Sequence, residues 1–327
     1  MSQSERLVWV DRMRGLAILS VVIQHLAYNF QNEFVYRNLI DISNMGVFFF
    51  VSGYILNKTT HMDGCRGTMN FLFKKTVQLM LPFLVWGLLV NRYFFQDSWT
   101  AITVLDIENE FFNPHLWFLL TLYGYCFLFA GYKVVSNLVG GGKITLLYWI
   151  IVIIIMFVVW YELKCFKMAT LYVIYFAVGV FISKIKRENL FANQLFTTIS
   201  LLMIFLLLAF WTSGSTSLLN IAVKIIVSFS VIQITYRLCT EMRWYKPWDT
   251  FILSCGKNSI AIYVVHWTFL HFFDKAPMMI QNELFSFIIM LVGGVLISVT
   301  CLLFRRIVRL SPILDMLMFG RVLHKKL

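Results

Sequence analysis

The sequence predicts an all-α polytopic membrane protein of about ten transmembrane helices with both termini in the cytoplasm, and three observations carry that prediction. Of its 327 residues, 60% are hydrophobic and 13% charged, about half the charge of an ordinary soluble domain. Apolar stretches recur from end to end, roughly at 16–30, 40–56, 77–95, 116–135, 144–160, 168–183, 195–212, 216–236, 250–270 and 284–304. Ten spans put both termini on one side. Segments on that side then hold 21 of the 28 Lys and Arg, the opposite loops hold five, and Lys224 and Lys257 lie inside spans. Such a split is what the positive-inside rule requires of cytoplasmic termini.

The formal net charge of +12 is therefore topological. It favours anionic lipid headgroups as partners and gives no reason to expect nucleic acid. No hydrophilic stretch is long enough for a separate soluble domain. Residues 1–304 read as one transmembrane domain and 305–327 as a basic amphipathic cytoplasmic tail, with Ile313, Leu314, Leu317 and Phe319 interleaved among its charges. The six cysteines are scattered without a C-x-x-C pair, so neither a disulfide framework nor a metal site is expected. Gln24 and His25 interrupt the first apolar stretch and no small-x-small cleavage pattern follows, which makes it a retained span rather than a signal peptide.

That first span opens with Asp11-Arg12-Met13-Arg14-Gly15 and carries His25. Arg14 and His25 are eleven positions apart, close to three helical turns, so they share a face about 16 Å apart along the axis. A snorkelling anchor would account for Arg14 alone, and a hydrogen bond to a neighbouring helix for His25. Ionisable groups within a span nevertheless mark sites and pathways. The second span holds Phe48-Phe49-Phe50-Val51-Ser52-Gly53-Tyr54, whose small residues let helices approach closely. Lys74 and Lys75 precede the third, in Lys74-Lys75-Thr76-Val77-Gln78-Leu79-Met80-Leu81-Pro82. His115-Leu116-Trp117-Phe118-Leu119 opens the fourth. Ile150 to Trp160 is apolar throughout and reads as lipid-facing. The ninth span carries Gly256-Lys257-Asn258-Ser259 and then Tyr263 and His266, three apart and so on one face.

Four of these landmarks, in order over residues 11 to 266, resemble the membrane acyltransferase 3 family: Arg14 and His25 with ten residues between them; Phe48-Phe49-x-x-Ser52-Gly53-Tyr54; the H-L-W-F-L segment from His115; and the late G-x-x-S…I-Y-x-x-H stretch ending at His266. Many members carry R-x-x-R shortly before a proline. Here Lys74 and Lys75 keep the basic character, and Gln78 stands where the second arginine is expected, without the bidentate fork an arginine supplies. The length is that of a short, membrane-only, O-acetyltransferase-like member without an SGNH esterase-like domain.

The resemblance implies transfer of an acyl group, acetyl in most members, from cytoplasmic acyl-coenzyme A to a hydroxyl of a cell-surface or lipid-linked saccharide. Acyl-CoA is then a co-substrate and no tightly bound cofactor or metal is expected. It implies a bacterial cytoplasmic (inner) membrane, with acyl-CoA, a saccharide or glycolipid acceptor and membrane lipids as partners. Such transfer needs a base at the acceptor oxygen, and histidine suits because its pKa lies near the working pH. On this reading His25 is the general base and Arg14 orients the donor. Arg14, Lys74, Lys75, Ser52 and Gly53 hold the acyl-CoA, while His115, Trp117, Tyr263 and His266 line the acceptor side. The rival reading is a transporter or flippase for a lipid-linked sugar or small anion, with the buried ionisable residues as relays. Against it, the halves show no internal repeat and no paired Gly/Pro-broken spans.

Overall fold

The computed structural model describes residues 7–28, 35–95, 103, 116–139, 143–163, 167–185, 193–210, 218–270 and 283–321, and among these there are helices and no strands. Four of its helices are long and apolar enough to cross a membrane, at Gly64–Val90, Trp117–Val139, Ala222–Glu241 and Phe285–Val308. Shorter apolar helices lie at Ile144–Val159, Thr170–Lys184, Gln194–Phe205 and Ser259–Leu270. The chain divides into two compact units, residues 1–58 with 178–303, and residues 59–177 with 304–327.

The first unit is built on α1 (Val8–Tyr28). Val10, Met13, Ala17, Ile18, Val21, Val22, Leu26 and Ala27 are buried, which leaves little of this helix for lipid. Close neighbours explain that burial. Asn44 of α2 (Val35–Thr59) donates its side-chain amide to the Gln24 carbonyl oxygen, and Trp9 meets Tyr54 edge-on, with ring centroids 4.9 Å apart. These two contacts fix α2 antiparallel to α1. On another side, a Cβ at Gly293 or Gly294 would stand 2.6 Å from Leu26 Cδ2 or 2.5 Å from Ile23 Cγ1.

The closest approach is to the ninth apolar stretch. The sequence predicts one span over 250–270; the structure breaks it into α10 (Lys246–Lys257) and α11 (Ser259–Leu270). Asn258 sits at the break with φ −116° and ψ 21°. Its side-chain amide donates to the Ser254 carbonyl at 2.7 Å, which also accepts the Asn258 backbone N–H at 3.2 Å. Helical bonding resumes when Ile262 N–H reaches the Asn258 carbonyl at 3.0 Å. Along α10 the backbones touch. A Cβ on Gly15 would fall inside the contact radius of the Ile252 carbonyl oxygen, and one on Gly256 inside that of the Asp11 carbonyl oxygen.

In the second unit α3 (Gly64–Lys75) runs into a π-helical turn (Thr76–Met80), a short α4 (Leu81–Leu84) and a longer π-helical stretch (Val85–Phe95). Pro82 explains the opening of this helix, because it has no N–H for the Gln78 carbonyl four residues back and its ring crowds that carbonyl. Next come α5 (Trp117–Val139), α6 (Lys143–Leu163) and α7 (Lys167–Ile185). Phe129, Tyr132, Trp149 and Phe176 are buried between them, with Trp149 and Phe176 centroids 5.6 Å apart. One stripe of α6 is exposed, with Leu147, Ile150, Ile151, Ile154, Ile155 and Val158 along it.

The remaining helices are α8 (Gln194–Phe210), α9 (Leu218–Glu241), α12 (Glu283–Val308) and α13 (Pro312–Phe319). Ile313 and Leu314 of α13 are exposed, while Asp315 and Phe319 are buried.

The glycine contacts make a direct prediction. Gly15→Ala and Gly256→Ala each force two backbones apart and should cost about 2–3 kcal/mol, or abolish folding. Gly124, with nothing within 4 Å of a notional Cβ, should tolerate the same change or gain about 0.5–1 kcal/mol. Thermal unfolding of the detergent-solubilised variants measures all three.

Candidate functional site

The α1–α10 seam is pinned at its polar end by an ion pair between residues 237 positions apart. Arg12 donates from Nε to Asp249 Oδ1 at 2.7 Å and from Nη2 to Oδ2 at 2.9 Å. Its third donor, Nη1, reaches the Cys239 carbonyl at 2.9 Å, and the guanidinium lies 5.7 Å from the Trp244 ring centroid. This is the two-pronged geometry that arginine favours with a carboxylate. Both partners lie just outside the apolar stretches, and the hydrogen bond from Arg12 holds the Asp249 carboxyl below its ordinary value. Nothing in the sequence distinguishes Arg12 from the other basic residues at the helix entry.

Arg14 is half-buried on the same first turns of α1, beside the buried Asp11. Because Tyr54 meets Trp9 while Asn44 meets Gln24, the buried Ser52 and Gly53 lie level with this end of α1 and not with His25. Gly179, in the part of α7 that belongs to the first unit, packs on that turn of α2: a notional Cβ on it would lie 2.9 Å from the Tyr54 amide nitrogen.

Three turns further along α1, His25 meets the second half of the broken helix. Its ring centroid lies 5.3 Å from that of His266 and 4.6 Å from that of Trp267. Tyr263 is 6.0 Å from His266 by the same measure. Tyr263 and His266 are both buried, His266 completely. His266 Nδ1 lies 2.7 Å from the Tyr263 carbonyl oxygen and 3.1 Å from that of Ile262. Carbonyls only accept, so Nδ1 is the donor, and in the neutral ring the lone pair is on Nε2. Sequence reasoning separates His25, as base, from His266, as part of the acceptor lining. The structure brings the two imidazoles together.

The other candidates belong to the second unit or lie outside the described residues. Lys74 is exposed and Lys75 half-buried at the end of α3. Lys75 Nζ donates to Gln78 Oε1 at 3.0 Å and sits 5.9 Å from the Phe71 centroid. The glutamine at the unexpected position is thus engaged by the lysine three residues before it. Trp117 opens α5 and stacks on Tyr172, with centroids 5.6 Å apart and planes 25° apart. His115 lies outside the described residues. Among the described residues no group of His, Cys, Asp and Glu is arranged to hold a metal.

The acyltransferase 3 family model, described as an acyltransferase domain, matches residues 7–303 of the chain. No curated protein and no solved structure gives a significant match.

The seam's electrostatics have a sign. A carboxyl lowered in the folded state contributes stability above its unfolded pKa, about 3.9 for aspartate, and loses it as pH falls through the folded value. Thermal stability should therefore decline below about pH 4. Asp249→Asn should lower stability by about 1–2 kcal/mol at neutral pH and flatten the acid limb. Melting curves of both proteins from pH 7 to pH 3 give the comparison.

Proposed function

The chain belongs to the acyltransferase 3 family of membrane acyltransferases, and on that premise we propose that it transfers an acyl group, acetyl by family habit, from acyl-coenzyme A to a hydroxyl of a cell-surface or lipid-linked saccharide. The observation that carries the proposal is the pairing of His25 with His266 at 5.3 Å, on α1 and on α11, the helix that follows the glycine-packed α10 across the break at Asn258. One imidazole accepts the hydroxyl proton while the acceptor oxygen attacks the thioester carbonyl. The carbon–sulfur bond then breaks, and coenzyme A leaves as its thiol after taking up a proton. We assign the base to His25. His266, with its proton committed to backbone carbonyls, is the second basic ring, able to orient the acceptor or to share the proton.

Arg14, on the same face of α1 about 16 Å from His25 along the axis, suits the anionic end of the donor. That length is spanned by a pantetheine arm. Ser52 and Gly53, small and level with the Arg14 end, fit the narrow passage such an arm needs. In the second unit Lys74 and Lys75 offer ammonium groups to phosphate, and Trp117 offers an aromatic face. The topology proposed with this function has ten spans, cytoplasmic termini and a place in a bacterial inner membrane. It is supported by the 21-to-5 division of basic residues and gives a cytoplasmic donor direct access to Arg14.

Purified His25→Ala should retain its elution profile and lose at least about 100-fold in transfer of labelled acetyl from acetyl-coenzyme A, the usual worth of a general base. Unchanged transfer would remove His25 from the base role. Arg14→Ala should raise the KM for donor by about tenfold, the effect of one charge-assisted contact, with the acceptor KM unchanged. Sugar movement across vesicles that needs no acyl-CoA would instead favour the flippase.

A further inference from the structure

We propose that the C-terminal segment, residues 311–321, is a brace that holds the π-helical stretch of the second unit open, and that Asp315 and Trp86 are thereby positioning residues for the anion site at Lys74, Lys75 and Gln78. The last part rests on the donor assignment made above.

The segment is built to lock. Ser311 caps α13 by accepting from the Leu314 N–H at 3.4 Å. Gly320 ends it at φ +66°, a left-handed backbone that favours glycine. Asp315 is fully buried between two arginines: Arg321 Nη1 donates to Oδ2 at 3.1 Å, and Arg305 Nη2 lies 3.6 Å from Oδ1. Arg305 also lies 4.8 Å from the Phe319 centroid. One carboxylate therefore ties the end of α12 to the residue that follows Gly320. A buried carboxylate is costly unless paired, so the paired arrangement strongly favours one geometry of the segment.

That geometry bears on the π-helical stretch at two points. Trp86 Nε1 donates to the Met318 carbonyl at 2.9 Å, with the Trp86 and Phe319 rings stacked at 6.4 Å. A Cβ on Gly320 would stand 2.6 Å from both the Val77 carbonyl oxygen and Gln78 Cα. So Gly320 rests on the turn that Pro82 opens, against the backbone of the residue whose side chain takes the Lys75 ammonium. π-Helical turns are rare and often occur at functional sites. Here the outside support comes from the C-terminal segment, and through Gln78 it sets where the Lys75 charge is held.

The test uses the full chain in lipid nanodiscs, with coenzyme A as the binding probe and hydrogen exchange of residues 76–90 as the structural readout. Asp315→Ala should speed exchange there about tenfold and weaken coenzyme A binding about tenfold. Its kcat should stay within about twofold and its acceptor KM should not move, because only donor positioning is lost. Trp86→Phe removes one hydrogen bond and keeps a ring, so it should give a smaller change of the same kind and covers the case in which Asp315→Ala does not fold. Arg321→Lys should behave as the parent. Unchanged exchange in Asp315→Ala, or in Trp86→Phe should the first not fold, overturns the brace. Faster exchange with unchanged coenzyme A binding overturns its role in donor positioning. If the unsubstituted protein does not bind coenzyme A, the donor assignment fails instead, and that failure shows before any substitution is made.

Discussion

The first unit depends on the close crossing of α1 and α10, where Gly15 and Gly256 let two backbones meet and Arg12 clasps Asp249. The ion pair alone does not account for it. Partly exposed pairs contribute little more than about 1 kcal/mol, and salt weakens them. Glycine contacts supply area and shape where lipid gives helices no hydrophobic reason to associate, while the ion pair selects the register. A sliding of one helix along the other would separate Arg12 from Asp249 and drive Ile252 or Asp11 into a helix turn. Interlocked surfaces of this kind have one good alignment.

Register at the seam becomes geometry at the site. Helices are stiff, so fixing α1 near Asp11–Gly15 fixes where His25 stands three turns later. The break at Asn258 does the corresponding work on the facing side: α10 is held against α1 by glycine, and α11 starts afresh and brings His266 and Trp267 beside His25. An unbroken helix from Lys246 to Leu270 would continue along the line set at Gly256. Broken helices tend to occur in membrane proteins where backbone is buried in protein or lines a cavity, and this one adjoins the half-buried His25 and the fully buried His266. The second unit uses an opened helix in a related way, with Pro82 loosening the backbone and the C-terminal segment supporting it.

Much of this was legible in the sequence, unevenly. Helical class and membrane character follow from composition and the length of apolar runs. Arg14, His25, Tyr263 and His266 stand out because ionisable and polar residues are scarce in such runs, and their order carries the family. The pairing of Arg12 with Asp249 was not legible, since charge at a helix entry is ordinary and 237 residues separate the partners. Nor was the break at Asn258, because apolar content continues through it and periodicity does not register a single capping amide. The meeting of His25 with His266 lies between the two cases. Both residues were candidates from their surroundings, yet only the packing of three helices makes them neighbours. The C-terminal segment reads as basic and amphipathic with nothing that singles out Asp315, and its burial between Arg305 and Arg321 depends on tertiary contacts that no local pattern reveals.

The central claim, that His25 and His266 act as one unit in acyl transfer, is tested most directly by a double-mutant cycle. Transfer of labelled acetyl from acetyl-coenzyme A would be measured as kcat/KM for the purified parent, His25→Ala, His266→Ala and the double variant. Residues that act together lose little more when both are removed than when one is. The account predicts that the double variant falls within about threefold of the weaker single variant. Losses that multiply would contradict it, and so would full activity in either single variant.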